Sequence, residues 1–457
     1  MRHIIAFLTA FIAFNTFPGA HAKDLANQEI GDLTRTVLYG SQDQMEDALA
    51  KLEARGIKDI IPSLIITARF RDGDVRILET LSRLSGEKLN NWNEAMLWQE
   101  AHPEIKPHAT FERFDLDIFT QIDPRFMRFL GDGKAERSKL KIRLEEIVWG
   151  GVKVDGIPSL DNPKLIRAGE ADYLKDADPV FGVSINGDVR AYPLRIMGWH
   201  EMFNDVIGGV PVALAYCTLC SAGILFETKV EGRAKPFVFG SSGFLYRSNK
   251  LMFDRQTDSL WNQFTGQPVS GPLLNSGIRL KIRPVTIASW KAWRTAHPDT
   301  KVLSLDTGFQ RDYGSGVVYS DYFASPDLMF PANVRDETRL KRKDYVFGIR
   351  ELNVSRAWPL DVFAKGRIIN DAFANRPIVL IGNAKTRTVR AYERGENIFK
   401  QGTGDQALNS GTSVWQVGEE ALIGPNGEKL DRIAGHLAFW FAWDGYLGEA
   451  STLFSEQ

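Results

Sequence analysis

The sequence predicts an α+β protein, in which a helical N-terminal region precedes an internally duplicated, β-rich domain with halves related by a pseudo-two-fold. Three observations support this fold class. Apolar residues recur at helical spacing before Trp149. Short apolar runs broken by Gly, Pro and Asn follow from Val152. One such stretch recurs later in the chain with many of the same residues. The predicted regions are 23–149 (helical), 150–330 (first copy) and 331–457 (second, degenerate copy).

The first residues are typical of a secretory signal peptide. An apolar run from Ile4 to Phe14 follows a short polar start, and Ala20-His21-Ala22 places small residues before a cleavage site. The run is too short to span a bilayer, and no later stretch approaches the roughly 20 apolar residues of a spanning helix. We therefore expect cleavage after Ala22 and a periplasmic or secreted mature chain without a membrane span.

The composition is that of an ordinary globular protein, with 44% hydrophobic and 25% charged residues. The formal net charge of -1 gives no electrostatic reason to expect binding to nucleic acid.

The helical region contains short amphipathic segments, predicted at Met45–Ala54, Ile57–Thr67 and Val75–Leu84. Paired helices of this kind resemble HEAT-like repeats, which suggests docking of a protein partner. A plain supporting domain is the favoured interpretation, and partner docking is the alternative.

The β-rich region begins with a predicted hairpin, formed by Val180–Ile185 and Asp188–Leu194 around Asn186-Gly187. The spacing then predicts a helix from Ile196 to Ile207 that stops at Gly208-Gly209. A second helix is predicted at Thr286–His297. The remaining predicted strands are Val212–Tyr216, Ile224–Thr228, Phe237–Phe239, Leu251–Asp254 and Val302–Leu305.

The duplication rests on a gapless alignment of residues 178–212 with residues 344–378. Chance predicts roughly two identities in such a window, and there are eleven. Shared residues are expected to be scaffold, and the Asn204-Asp205 pair, repeated as Asn370-Asp371, is expected to cap a helix or turn. Residues present in the first copy only are candidates for function. His200, Cys217 and Cys220 face Gly366, Asn383 and Thr386 in the second copy.

The two cysteines, Cys217 and Cys220, are separated by only two residues. A disulfide between them would close almost no loop, so stabilisation is a poor explanation for their presence. Redox chemistry and metal binding remain. The segment after Cys220 is predicted to turn into a strand rather than to open a helix as in thioredoxin, and such a knuckle favours a metal site.

Two further side chains are candidate soft-metal ligands. His200 begins the segment His200-Glu201-Met202-Phe203-Asn204, which has Asn204 where a helical zinc protease has its second histidine. A zinc protease is therefore not expected. Met252 offers a thioether, although filling of the core is its favoured role. Thiolate and imidazole ligands suit Cu(I) or zinc better than a hard cation.

Several motifs in order resemble the bacterial domain-of-unknown-function family numbered 3179, over about residues 147–446. Thr218 and Ser221 stand where that family commonly has Pro and Gly. The resemblance implies the domain but no chemistry. The motifs include Trp199-His200-Glu201-Met202-Phe203-Asn204-Asp205, Tyr216-Cys217-Thr218-Leu219-Cys220, Phe239-Gly240-Ser241-Ser242-Gly243, Phe253-Asp254-Arg255-Gln256-Thr257 and Arg311-Asp312-Tyr313.

The sequence leaves three functions open. The first is binding, delivery or use of copper (favoured) or zinc by a site made of His200, Cys217, Cys220 and Met252. The second is a periplasmic dithiol/disulfide oxidoreductase without metal. The third is a non-catalytic scaffold that docks a partner through its helical N-terminus. These three functions include both enzymatic and non-enzymatic roles.

Overall fold

The structure is a computed structural model that describes residues 25–130, 140–335, 337–351, 353–364, 366–404 and 406–455. The predicted signal peptide lies outside the described residues. Two compact units are distinguished, one formed by residues up to Ala95 with His102–Asp115, the other by Met96–Ala101 and Leu116 onward. None of the described helices has the length and apolar character needed to cross a membrane.

Helices dominate the described chain before residue 131, as the sequence predicts. Ser41 caps the second helix through a capping box with Gln44, and Asp74 accepts a hydrogen bond from Arg76 N at the start of the fourth. The helices are α1 Asn27–Tyr39, α2 Gln42–Ala54, α3 Ile61–Phe70, α4 Val75–Ser85, α5 Trp92–Ala101, α6 Phe111–Ile122, α7 Phe126–Leu130, α8 Leu194–His200, α9 Trp290–Ala296, α10 Ser320–Ala324 and α11 Trp440–Leu447.

The region after residue 146 is rich in strands, and most of them pair in antiparallel sheets. The strands are β1 Ile147–Trp149, β2 Leu160–Asp161, β3 Leu165–Arg167, β4 Pro179–Ile185, β5 Asp188–Pro193, β6 Met202–Ile207, β7 Val210–Cys217, β8 Ala222–Glu227, β9 Phe239–Tyr246, β10 Asn249–Asp254, β11 Leu260–Asn262, β12 Gln267–Pro268, β13 Ile282–Arg283, β14 Thr286–Ser289, β15 Lys301–Leu303, β16 Tyr345–Arg350, β17 Ser355–Pro359, β18 Arg367–Phe373, β19 Arg376–Asn383, β20 Thr388–Glu393, β21 Lys400–Gln401, β22 Ala407–Ser410, β23 Ser413–Val417, β24 Ala421–Ile423, β25 Lys429–Ile433, β26 Gly435–Phe439 and β27 Ser451–Leu453.

Five sheets result, with the orders β1-β9-β10-β11-β12, β13-β8-β7-β6-β2, β14-β4-β5-β15-β3, β26-β16-β17-β27 and β18-β19-β20-β25-β24-β23-β22-β21 among the described residues. The observed architecture is thus a helical N-terminal region followed by a β-rich region with several sheets.

The predicted hairpin is present, and its turn has the expected chemistry. β4 and β5 pair from Val180↔Pro193 to Ile185↔Asp188. Asn186 and Gly187 both have positive φ, 50° and 79°, as a type I′ turn requires. The alternation of apolar residues and the Asn-Gly signal were therefore sufficient to predict this element.

The prediction of one helix over Ile196–Ile207 is wrong in its second half. Helix α8 ends at His200, and Glu201 adopts a left-handed conformation with φ 56°. Residues Met202–Ile207 then form β6, which pairs with β7 across Gly208-Gly209. Both glycines have positive φ, so they form a hairpin turn rather than a helix stop.

This strand also corrects the role predicted for Asn204, which caps no helix. Its side chain acts as a strand partner, because Asn204 Nδ2 donates to Phe239 O at 2.9 Å and Phe239 N donates to Asn204 Oδ1 at 2.8 Å. The helix predicted at Thr286–His297 likewise begins late. Thr286–Ser289 is strand β14, and the helix starts at Trp290 with the Ser289 side chain as its cap.

Similar close contacts recur in two of the sheets. Gly182 of β4 lies against the ring of Trp293, and Gly348 of β16 lies against the ring of Trp443. Asn370 of β18 makes the same pair of hydrogen bonds to Phe399 N and O, both at 2.8 Å, that Asn204 makes to Phe239.

A buried carboxyl group outside these sheets gives a testable pH effect. Burial, with the charge of Glu146 second, raises the pKa of Glu100 from 4.5 to about 7. Because the folded state holds this proton more tightly than the unfolded state, the contribution of Glu100 to stability is fully present below pH 4.5 and is lost as the pH rises through about 7. We expect Glu100→Gln to remove about 3 kcal/mol of this decline, a shift of some 2.5 pH units at 1.36 kcal/mol each.

Urea unfolding at pH 5 and pH 8 measures the effect of this substitution. The exposed Glu231 provides the control variant Glu231→Gln, which should retain the wild-type dependence. An equal decline in wild type and Glu100→Gln would contradict the assignment.

Candidate functional site

The cysteines lie at the end of a β-hairpin. Cys217 is the last residue of β7, Cys220 lies in the following turn, and the strands pair up to Cys217↔Ala222. The two sulfur atoms are joined in a disulfide between residues three apart in sequence. Ser221, directly after the second cysteine, adopts φ 50°, which lets the chain reverse into β8. As predicted, a strand rather than a helix follows the motif.

The backbone of the turn is held by bonds that do not involve sulfur. Ser221 N donates to Thr218 O at 3.2 Å. The buried amide of Gln263 donates to Ala215 O and Ala222 O, both at 2.8 Å, so it links the two strands from the side. Tyr322 Oη donates to Leu219 O at 2.8 Å. These contacts fix the positions of both cysteines.

The surroundings of the sulfur atoms are buried and provide hydrogen-bond acceptors. Cys220 is completely buried and Cys217 retains 3% exposure. Cys220 Sγ lies 3.2 Å from Ser248 O and 3.1 Å from Asn249 Oδ1. The Asn249 amide is oriented by donation from its Nδ2 to Arg247 O at 3.0 Å. A carbonyl oxygen accepts from a thiol but offers no proton to a thiolate.

A buried ion pair lies beside the turn. Glu201 accepts from Lys250 Nζ at 2.5 Å and from Thr218 Oγ1, within the Cys-x-x-Cys motif, at 2.9 Å. Lys250 is 3% exposed, and its ammonium also donates to Ser241 Oγ at 3.2 Å. Burying both charges is costly, and hydrogen bonds of this quality are needed to offset the cost. The pair therefore ties the turn to β10.

Non-glycine residues with left-handed backbone conformations concentrate around this turn. They include Glu201, Ser221, Arg247, Ser248 and Tyr319, with φ between 47° and 58°. Such conformations cost of the order of 1 kcal/mol each and persist where surrounding contacts impose them. These backbone conformations are thus specified by the surroundings rather than by local preference.

Tyr319 is also close to the ion pair. Burial raises the pKa of Tyr319 to about 12, with the charge of Glu201 contributing.

His200 has partners that the sequence did not reveal. Its Nδ1 lies 2.9 Å from Pro158 O, and its Nε2 lies 2.6 Å from Tyr313 Oη. A carbonyl only accepts, so Nδ1 carries the proton and Nε2 accepts from the tyrosine hydroxyl. Burial lowers the pKa of His200, which favours this neutral form. The lone pair of His200 Nε2, which a metal ion would need, therefore accepts a hydrogen bond from Tyr313 Oη.

The other predicted site residues are distributed as follows. Met252 is fully buried in β10, where it pairs with Ser241 and Trp261. The structure joins Cys217 to Cys220, whereas the hydrogen bonds of His200 run to Pro158 and Tyr313. Within the described ranges, no group of three or more His, Cys, Asp or Glu side chains is placed to hold a metal ion.

Sequence reasoning missed the residues that surround the disulfide. Lys250 stands in the segment Asn249-Lys250-Leu251-Met252-Phe253, which forms the buried strand β10. The one available signal in the sequence was a charged residue next to a run of apolar ones. Glu201 lies within the segment that resembles a zinc-protease signature, and that resemblance gives no indication of its partner Lys250. Asn249 and Ser248 carry no pattern that identifies them without the fold.

The fold and site define an α+β protein with a buried Cys-x-x-Cys disulfide beside a Glu–Lys ion pair. The family model DUF3179, described as a protein of unknown function, matches residues 154–450. The chain belongs to this family, as its motifs indicated. No curated protein matches the chain, and no solved structure does.

Proposed function

We propose that Cys217 and Cys220 form a redox-active dithiol/disulfide centre in an exported protein. The observation that carries this proposal is the sulfur–sulfur bond across a two-residue spacer, within a turn held by other contacts. A disulfide that closes so short a loop contributes little stability through chain entropy. Its reversible cleavage is therefore the property for which the pair is best suited.

The reaction follows from the relative burial of the sulfurs. In the proposed reaction, a thiolate of a dithiol partner attacks the sulfur of Cys217, the residue that is 3% rather than 0% exposed, and the Cys217–Cys220 bond breaks as the mixed disulfide forms. Cys220 leaves as a thiolate and takes up a proton, after which its thiol donates to the adjacent acceptors. A second partner thiolate attacks the partner sulfur and releases Cys217. The partner loses two electrons, and the cysteines gain two electrons and two protons.

The sequence-derived alternative is a site for copper, or else zinc. Two sulfurs at one point support it, since Cu(I) prefers soft thiolate ligands. The acceptors around Cys220 and the engaged Nε2 of His200 favour the metal-free reading. Participation of His200 would require Tyr313 to release that nitrogen.

Replacement of either cysteine by serine tests the centre. We expect purified wild type to show no free thiol before reduction and two after it, and to oxidise a dithiol model substrate. Cys217→Ser and Cys220→Ser should each lose this turnover at least 100-fold, because neither variant can form the intramolecular bond. The free energy of unfolding should fall by no more than about 2 kcal/mol, the loop-closure contribution expected for so short a loop.

Metal analysis of the same preparations distinguishes the alternatives. Stoichiometric copper or zinc in protein with both thiols reduced, lost in both serine variants, would replace the redox proposal by the metal site. Met252→Leu tests the fourth candidate ligand, since it removes the thioether with little change in volume, and it should lower metal content only if Met252 binds the ion.

Export and internal duplication extend the proposal. Export is supported by the signal-like N-terminus, and mass spectrometry of the mature chain should find Lys23 as its first residue. Duplication is supported by two sheets that share a strand arrangement, β14-β4-β5-β15 and β26-β16-β17-β27. In each, a central hairpin has an antiparallel strand on one side and a parallel strand on the other. Docking of a protein partner through the helical region is a separate proposal that rests on the helical pattern alone.

A further inference from the structure

A cavity of about 570 Å³ adjoins the disulfide turn. Tyr216 and Ser221, the residues directly before Cys217 and directly after Cys220, both line it. Pockets of roughly 300–1,000 Å³ suit small organic molecules rather than segments of folded protein. Neither cysteine is among the lining residues, so a ligand held here would lie beside the two residues that flank the Cys-x-x-Cys motif.

The lining of this cavity carries an excess of positive charge. Its charged side chains are Asp178, Arg195, Lys343 and Arg387. Asp178 is already engaged, because it accepts from Arg195 Nη1 at 3.2 Å and from Ser315 Oγ at 3.0 Å. Three cations against one carboxylate leave a formal charge of +2, carried by Lys343 and Arg387.

The contacts of these two cations are to neutral groups. Lys343 Nζ donates to Tyr322 O at 2.5 Å and Ser325 O at 2.8 Å. Arg387 Nη1 donates to Tyr345 Oη at 3.1 Å, and its guanidinium lies over the same ring. Burial lowers the pKa of Lys343, with Asp327, outside the lining, as the opposing charge. An anion in the cavity would compensate charge that the lining leaves uncompensated.

The rest of the lining is largely apolar and aromatic. Leu194, Val318, Phe323, Pro326 and Phe439 contribute to it, and Tyr345 Oη lies 3.0 Å from Ser221 Oγ at the edge of the turn. This combination suits an organic anion with an apolar body. The polar and charged groups would fix its orientation towards the turn.

We propose that this cavity binds a low-molecular-weight, anionic organic thiol or disulfide as the substrate of the Cys217–Cys220 centre. The identity of the substrate as a thiol or disulfide rests on the proposed redox function, whereas the anionic class rests on the cavity alone. Arg387 and Lys343 are the residues that select for negative charge.

The test uses the reduced full-length protein with two disulfide probes. One, 5,5′-dithiobis(2-nitrobenzoate), carries two carboxylates, and the other, 2,2′-dithiodipyridine, is uncharged. Cys217 attacks the probe and displaces one thiolate; Cys220 then closes the protein disulfide and displaces the second, so the probe gains two electrons. We expect Arg387→Gln and Lys343→Gln each to slow the anionic probe about tenfold, equivalent to 1.4 kcal/mol, and to leave the uncharged probe unchanged.

Arg342→Gln is the matched control, because Arg342 pairs with Glu337 and does not line the cavity. It should leave both rates unchanged. Equal slowing of both probes, or no slowing of either, would overturn the anionic class. Melting temperatures verify that Lys343→Gln is folded. Lys343→Met removes the hydrogen bonds to Tyr322 O and Ser325 O together with the charge, and it reports whether loss of those bonds slows both probes.

Binding of 2-nitrobenzoate to the oxidised protein separates the two proposals. Calorimetric binding that Arg387→Gln weakens about tenfold supports the anion site even if the thiols react with neither probe, a result that would refute the redox function alone. Failure to bind this anion would overturn the cavity proposal regardless of thiol reactivity.

Discussion

Replacing Glu201 with alanine is expected to lower the free energy of unfolding by about 3–5 kcal/mol at pH 7, because it leaves the buried ammonium of Lys250 without a carboxylate. Lys250 is 3% exposed and Glu201 is 7% exposed, so solvent compensates neither charge. Thr218 loses its acceptor at the same time. Urea unfolding gives the free energy, and probe reactivity of the reduced thiols reports whether the turn has moved.

The double variant Glu201→Gln with Lys250→Met should recover most of that stability, since it removes both charges together. Asp306→Ala is the control for an ion pair as such. Lys164 and Asp306 form a pair with side chains 71% and 63% exposed, so its loss should cost less than about 1 kcal/mol. If Glu201→Ala also lowered the free energy of unfolding by less than about 1 kcal/mol, water would have to reach the Glu201–Lys250 pair.

Alanine at Gly348 or Gly182 is expected to destabilise the β-rich unit by about 2–3 kcal/mol, with similar values for the two sites. An added Cβ would lie 2.0 Å from the ring of Trp443 at Gly348 and 2.2 Å from the ring of Trp293 at Gly182. Both rings are buried and held by hydrogen bonds, Trp293 Nε1 to Thr300 Oγ1 and Trp443 Nε1 to Ser451 Oγ. Neither ring therefore has a ready alternative position.

Thermal unfolding of Gly182→Ala, Gly348→Ala and Gly169→Ala measures this effect. Gly169 is the control because an added Cβ meets no atom within 4 Å and its φ is not positive. A large effect at only one of Gly182 and Gly348 would contradict the expectation that the two sheets use the same packing. It would also remove one support for the proposed duplication.

Local patterns predicted those parts of the fold that local chemistry determines. Asn186-Gly187 specifies a type I′ turn by itself, and the strands on either side followed. Helical spacing located the amphipathic helices α2 and α4. The helix predicted over Ile196–Ile207 failed because residues Met202–Ile207 are buried at nearly every position, which erases the distinction between a helical and a strand period.

The site was predictable only in part, for a related reason. Cys217 and Cys220 are close in sequence, so the turn that brings them together is local. The groups that surround them come from distant parts of the chain, Asn249 and Lys250 from β10 and Gln263 from the turn after β11. His200 was assigned to the cysteines because it was the nearest suitable ligand in sequence. Its observed partner, Tyr313, lies more than a hundred residues further along the chain.

The bonds that hold the turn have a consequence for the speed at which the disulfide re-forms. Gln263 and Tyr322 hold the backbone around the cysteines through hydrogen bonds that do not involve sulfur, so we expect reduction to leave them in place. The two thiols then remain neighbours, and each experiences the other at a high effective concentration. If the proposed redox function holds, we expect a mixed disulfide at Cys217 to be short-lived, because Cys220 would attack it before a second external thiol arrives. A Cys220→Ser variant would accumulate that intermediate and hold the bound molecule covalently for identification.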